Sequence, residues 1–151
     1  MITDTDRRKF IQGIATLAMT GGMLLPAVVT ATPSEAKAKI KGLAGAARLN
    51  KGRVKITVPV VADHGGRVSV TVTADSPMTE ADHVKAIHVV SDSNPFPEVV
   101  SFSLGPDAGK AEISFYMRMA KTQSVYAVAE MSDGSFHIDK GTSTVTIGGC
   151  D

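Results

Sequence analysis

From Gly52 onward apolar residues recur every second position, and that period confines most of the chain to β-sheet. Val54, Ile56, Val58 and Val60 alternate with Lys55, Thr57, Pro59 and Val61. Val68, Val70 and Val72 alternate with Arg67, Ser69, Thr71 and Thr73. Successive side chains of a strand point to opposite faces, so each run has one face for a core and one for solvent. Asp63-His64-Gly65-Gly66 lies between them as a turn. The two runs are expected to pair as a hairpin. Pro59 offers no N–H to a ladder, so the first strand is expected at an edge or with a bulge.

The pattern repeats to the end of the chain. Val84 to Val90 reads as a strand with Val84, Ala86, His88 and Val90 on one face. Asn94-Pro95-Phe96-Pro97 fits neither helix nor central strand and reads as a loop. Val100, Phe102 and Leu104 alternate, and Pro106-Asp107-Ala108-Gly109 turns the chain. Ala111 to Met119 places Ile113, Phe115, Met117 and Met119 on one face. Val125 to Met131 follows, then an Asp133-Gly134 turn, a short strand over Phe136 to Asp139 and a last one over Thr144 to Ile147. About eight short strands separated by turn residues predict an all-β, immunoglobulin-like antiparallel β-sandwich. The chain has no tryptophan and one cysteine, so it lacks the Cys–Trp–Cys pin of antibody domains. Ahead of the strands, Ile40, Leu43, Ala44 and Ala47 fall at helical spacing, weakened by Gly42 and Gly45. A short helix is expected there, placed to cap one end of the domain.

The beginning of the chain reads as an address. Thr5-Asp6-Arg7-Arg8-Lys9-Phe10-Ile11 matches the twin-arginine export pattern, with Arg7 and Arg8 as its pair. An apolar stretch to about Val29 follows, interrupted by Gly13, Gly21, Gly22 and Pro26. It is near the ~20 residues needed to span a bilayer, but its glycines, alanines and threonines suit a secretory signal better. Val29-Thr30-Ala31 is the preferred cleavage signal and Ala36-Lys37-Ala38 the second. The expected organisation is a Tat signal peptide over 1–31, a linker and short helix over 32–51, a sandwich over 52–145 and a C-terminal arm over 146–151. The expected location is the periplasm.

The one cysteine, Cys150, follows Gly148 and Gly149 and precedes Asp151. It has no internal partner for a disulfide, and a leftover cysteine in an exported chain suggests a reactive thiol or an intermolecular bond. Two adjacent glycines impose no φ preference and are expected to act as a hinge. At ~3.3–3.6 Å per residue, a five-residue tail reaches roughly 17 Å. A free thiol with a reference pKa of about 8.5 is only a few per cent thiolate at neutral pH. The neighbouring carboxylates of Asp151 disfavour the thiolate further. Nucleophilic catalysis needs a fixed base and oxyanion donors, which a tail lacks. Cys150 therefore reads as a covalent attachment point rather than a catalytic residue.

Other chemistries find little support. A formal net charge of +1 gives no electrostatic case for nucleic acid. His64, His83, His88 and His137 match no metal-ligand spacing. Met78, Met117, Met119 and Met131 read as sandwich core in preference to copper ligands. Neither catalytic residues nor metal ligands nor a cofactor are expected. A thiol-dependent sulfurtransferase and a purely structural or binding sandwich remain the alternatives.

At several places the chain resembles the SoxY family of the bacterial thiosulfate-oxidising Sox system. The resembling segments are Val54 to Gly65, Asp75-Ser76-Pro77-Met78, Asn94-Pro95-Phe96-Pro97, Arg118 to Gln123, Ala127 to Ser135 and, most specifically, Gly148-Gly149-Cys150. His64 stands where asparagine is expected, and Asp151 where the family usually has glycine. The resemblance implies a non-enzymatic carrier that holds thiosulfate-derived sulfur on Cys150. It also implies a heterodimer with a SoxZ-like subunit. The SoxAX cytochrome would load thiosulfate, the SoxB hydrolase would release sulfate, and a SoxCD sulfane dehydrogenase, where present, would oxidise the remaining sulfur.

Overall fold

A computed structural model of the protein describes residues 30–149. The export stretch with Arg7 and Arg8, and Cys150 with Asp151, lie outside the described residues. In chain order the elements are α1 (Pro33–Ala44), β1 (Leu49–Asn50), β2 (Val54–Thr57), β3 (Val61–His64), β4 (Val68–Ala74) and β5 (Val84–Ser91). They continue with β6 (Glu98–Ser103), a 3-10 turn (Pro106–Ala108), β7 (Glu112–Met117), β8 (Gln123–Met131) and β9 (Phe136–Ile147). Two sheets form. The smaller has the order β2-β4-β7, all antiparallel. The larger has the order β1-β9-β8-β5-β6, with β3 also paired to β9. This is the immunoglobulin-like sandwich the alternation predicts.

The core lies between the sheets. Val54, Ile56, Val68, Val70 and Val72 face it from the smaller sheet; Val84, Ile87, Val89, Val125, Ala127 and Ala129 face it from the larger. Met78, Met117, Met119 and Met131 are all buried there, so the methionines are packing residues. β8 is covered on both faces. Its Val128 points away from the sandwich core and packs with Val90 against Ala36 and Ile40 of α1.

α1 begins where its sequence says it should. Thr32 is the N-cap, its side chain accepting from the Glu35 N–H while the Glu35 carboxylate accepts from the Thr32 N–H. Pro33 sits in the first turn, where no N–H is needed. Ala36, Ile40 and Ala44, spaced by four, form the buried stripe. Lys39 pairs with Glu98 and ties the helix to β6.

Four expectations change. The run from Val54 to Val61 is two strands, not one: Pro59 breaks it, β2 pairs with β4, and β3 crosses to pair parallel with β9. The expected hairpin therefore survives only in the ladder from Val54↔Ala74 to Thr57↔Thr71. Second, the register shifts between Val84 and Ala86, so Val84 joins Ile87 and Val89 in the sandwich core while Val90 packs under α1. A bulge adds one residue and flips the faces beyond it. Third, Phe136 to Ile147 is one strand of 12 residues. The polar Lys140-Gly141-Thr142-Ser143 stretch reads as a break, but Gly141 is an interior strand position where a Cβ would stand 2.8 Å from Val58 Cγ2. Last, α1 covers the outer face of the larger sheet rather than an end, and Ala47 lies beyond it.

Candidate functional site at the end of the last strand

β9 delivers the chain to the cysteine. Its second half runs beside β3, with Val61 opposite Thr144, Ala62 opposite Val145 and His64 opposite Ile147. The expected arm began at 146, yet Thr146 and Ile147 are strand. The two glycines that follow are held against the fold. The Gly65 N–H donates to the Ile147 carbonyl at 2.6 Å, and the Gly65 carbonyl accepts from the Met119 N–H at 2.8 Å. The Met119 carbonyl in turn accepts from the Gly149 N–H at 3.0 Å. The β3–β4 turn, the β7–β8 connection and the tail thus form one backbone network.

That network has no room for side chains. A Cβ on Gly149 would fall inside 3.0 Å of the Gly65 carbonyl and the Gly66 nitrogen. One on Gly148 would fall equally close to the Ala120 carbonyl oxygen, and one on Gly65 to the Met119 carbonyl oxygen. Glycine is the residue that lets backbones approach this closely.

Side chains brace both walls of the seat. His64 Nδ1 accepts from the Gly66 N–H at 2.9 Å, closing the turn as an asparagine side chain does in an Asx-turn. Histidine at this position therefore supplies the acceptor that an asparagine would. On the other wall, Asn94 Nδ2 donates to the Arg118 carbonyl at 2.8 Å, and Asn94 Oδ1 accepts from Gln123 Nε2 at 3.0 Å. Ser91 Oγ donates to Gln123 Oε1 at 2.7 Å in a buried pair. Thr122 Oγ1 accepts from the Val145 N–H at 3.0 Å, fastening the connection to β9. The Asn94 carbonyl also accepts from the Ala31 N–H at 2.7 Å, so the first described residues meet the same loop.

Of the residues singled out by sequence, Gly148 and Gly149 are in this seat; Cys150, Arg7 and Arg8 lie outside the described residues. Sequence reasoning missed Gly65, Asn94, Met119 and Ala120 as parts of one site. A signal for them existed. Four of the segments that carry the family resemblance (the Gly65 turn, the Asn94 loop, Arg118 to Gln123, and the Gly-Gly pair) converge at this corner.

The remaining polar groups are dispersed. His83 Nδ1 lies 3.0 Å from the Thr79 carbonyl, His88 Nδ1 lies 2.7 Å from Ser101 Oγ, and His137 is buried in β9. Among the described residues no group of three or more His, Cys, Asp and Glu is placed to hold a metal ion. Two carboxyls are held below their ordinary values. Glu98 is lowered by its hydrogen bond from Lys39 and then by that from Ser101, and Asp133 by the hydrogen bonds from Ser135. No helix among the described residues is long and apolar enough to cross a membrane.

As a class, the fold is a two-sheet β-sandwich whose last strand runs into a Gly-Gly pair packed against its own turns. The chain belongs to the SoxY family of sulfur oxidation proteins, whose model matches residues 40–150, the cysteine included. Among solved structures it is similar to the sulfur carrier protein SoxY from Chlorobium limicola f thiosulfatophilum. That match has 29% identity and a TM-score of 0.63 and covers 76% of this chain and 98% of the other. It shares its fold with a superoxide reductase from Ignicoccus hospitalis, at 16% identity and a TM-score of 0.56, covering 78% of this chain and 95% of that one. A superoxide reductase from Nanoarchaeum equitans matches at 6% identity and a TM-score of 0.52, over 63% and 99% of the two chains. At these identities the reductases show the sandwich and nothing of its chemistry. A search of curated protein sequences gives no match.

Proposed function

We propose that the chain is a periplasmic sulfur carrier that holds thiosulfate-derived sulfur on Cys150 and presents it to partner enzymes. The observation that carries this reading is the seat. In a chain of the SoxY family, the Gly148–Gly149 lead to the only cysteine is placed at a defined corner of the sandwich by β9, the Gly65 turn and Met119.

The chemistry is that of a handle. Loading joins the Cys150 thiol to the terminal sulfur of thiosulfate, forming one S–S bond and releasing one proton and two electrons. The electrons go to a c-type cytochrome such as SoxAX. Hydrolysis by a SoxB-like partner then adds water across the S–SO3 bond, releasing sulfate and leaving a persulfide on Cys150. A SoxCD-like dehydrogenase is the candidate to oxidise that persulfide further. Asp151 puts a negative side chain next to Cys150 in the chain and no base lies beside it in sequence, so activation falls to the partners and the carrier itself catalyses no step. A SoxZ-like subunit is the expected partner of the sandwich.

Export by the twin-arginine route places the carrier where thiosulfate is met. Cleavage after Ala31 leaves Thr32 to cap α1, at the loss of the buried Ala31 and its bond to the Asn94 carbonyl. Cleavage after Ala38 would remove the cap, Glu35 and the fully buried Ala36.

One experiment reads both parts. The protein is purified from the periplasmic fraction of cells oxidising thiosulfate, and its intact mass is measured with and without a thiol reductant. The expected species begins at Thr32 and carries an S2O3 unit that the reductant removes and that a Cys150→Ser chain never gains. A chain found only uncleaved in the cytoplasm overturns the export reading. A periplasmic chain with Cys150 always unmodified under turnover overturns the carrier reading.

A further inference from the structure

We propose that Gly148 and Gly149 form a latch that seats the carrier tail in the fold, with Gly65, His64 and Asn94 as its positioning residues. The expectation for two glycines before a cysteine is a hinge. The structure gives them a different use. Each stands where a Cβ would collide with backbone: Gly149 with Gly65 and Gly66, Gly148 with Ala120. A hinge needs freedom of φ; a latch needs absence of volume. Gly65, in the turn on the other side of the contact, is equally intolerant of a Cβ, which would meet the Met119 carbonyl oxygen and the Gly149 nitrogen.

The seat has two walls, joined by the bond from the Met119 N–H to the Gly65 carbonyl and each braced by a side chain of its own. The first is the β3–β4 turn, closed by the His64 ring on the Gly66 N–H at 2.9 Å. The second is the Met119–Ala120 corner, held by Asn94 through the Arg118 carbonyl at 2.8 Å and through Gln123 at 3.0 Å. Between them, among the described residues, Gly149 makes one backbone bond across the seat, from its N–H to the Met119 carbonyl. A segment fastened by so few backbone bonds and by close packing opens without unfolding the sheets behind it. The tail therefore has a seated state and a released state. A partner enzyme that draws Cys150 into its own cleft competes with the seat, and the seat returns the tail to one starting position between partners. This purpose rests on the carrier reading; the latch itself does not.

The two ideas predict opposite signs for one substitution. Replacing glycine by alanine ordinarily narrows the conformations open to a chain. If Gly149 is a hinge, Gly149→Ala stiffens the tail. If it is a latch, the added methyl expels the tail and loosens it. A nitroxide spin label on Cys150, the only cysteine, reports the difference in the full chain. The expected result is a narrower, faster-motion spectrum for Gly149→Ala than for the unsubstituted chain, with the same direction for Asn94→Ala and His64→Ala. His64→Asn keeps an acceptor for the Gly66 N–H and is expected to restore the seated spectrum, which a merely structural defect would not. The Gly149 amide is expected to exchange with solvent on the order of tenfold more slowly than an open amide, and Asn94→Ala to abolish that protection. A Gly149→Ala spectrum that is unchanged or slower overturns the latch. Because the spectrum is read without thiosulfate or partners, the latch and the carrier reading fail separately.

Discussion

The sandwich core and the tail seat are held together by opposite means. In the core, atoms fill space: Ile87, Val89, Val125 and Met131 are fully buried between two sheets. In the seat, the absence of atoms lets backbones meet: Gly65, Gly148 and Gly149 touch neighbours that a single Cβ would displace. The core is damaged by removing a methylene and the seat by adding one. The core's contacts reach across many strands, so its loss is global; the seat's contacts end at one turn and one corner, so its loss is local. A carrier needs both, a body that does not move and a tail that leaves its seat without disturbing that body.

The largest expected effect tests the first half of that contrast. Ile87 is completely buried in the centre of β5, between β8 and β6. Ile87→Ala is expected to cost about 2–5 kcal/mol of unfolding free energy, the loss of transfer energy plus the cavity left behind. Urea unfolding followed by circular dichroism measures it. Gly149→Ala in the same assay is expected to leave the midpoint almost unmoved, since Gly149 meets the backbone of one turn and one corner and fills no space between the sheets. Equal losses from the two substitutions would mean that the seat is part of the cooperative core and that the contrast is false.

Gly141 sharpens the contrast, because it is a seat-like glycine inside the core-forming strand. A Cβ there would stand 2.8 Å from Val58 Cγ2. Overpacking of this kind costs typically about 1–3 kcal/mol, so Gly141→Ala is expected to fall below Ile87→Ala and above any tail substitution. Val58 is stiff at χ1 and cannot easily swing away. Pairing Gly141→Ala with Val58→Ala removes the clashing methyl, and the double variant is expected to be more stable than the sum of the two losses allows. Strict additivity would show that Gly141 is kept for some reason other than the room Val58 takes.

The legible parts of this molecule were those written in side-chain periodicity. The alternation of Val68, Val70 and Val72 and the facing methionines named the sandwich and its core correctly. The departures came where backbone geometry overrides pattern. The register shift after Val84 moved a face by one residue, and no property of Lys85 or Ala86 announces it. Gly141 looked like a break because sequence does not show that Val58 of a distant segment occupies its missing side chain. The candidate site was legible only in part, for the same reason. Gly148 and Gly149 stood out by position, but their neighbours Gly65, Met119 and Ala120 contribute carbonyls and N–H groups that every residue has. Such a site leaves its trace in family resemblance along several distant segments, not in any one motif.

The smallest expected effect concerns a third kind of tie, the charge that fastens α1 to the sandwich. Lys39 of α1 pairs with Glu98 of β6, and Ser101 Oγ also donates to that carboxylate at 2.7 Å. The hydrogen bond from Lys39, and after it that from Ser101, holds Glu98 below the usual glutamate value of 4.5. The folded state thus binds this proton less readily than the unfolded chain. The contribution is fully present above the unfolded value and is lost as pH falls through the lower folded one. Both side chains are more than a third exposed, at 40% and 37%, so solvent screening limits the gain to a few tenths of a kcal/mol, roughly 0.2–1 at most. Melting temperatures of the protein and of Glu98→Gln are expected to differ slightly but steadily at neutral pH. They are expected to converge as the pH drops below 4.5, and to lie closer together in about 1 M salt, where the screening length shrinks to about 3 Å. If the gap persists in acid, the ion pair contributes nothing, and α1 is held on the sheet by its apolar face, with Ala36 and Ile40 at its centre: packing, as in the core, and not charge.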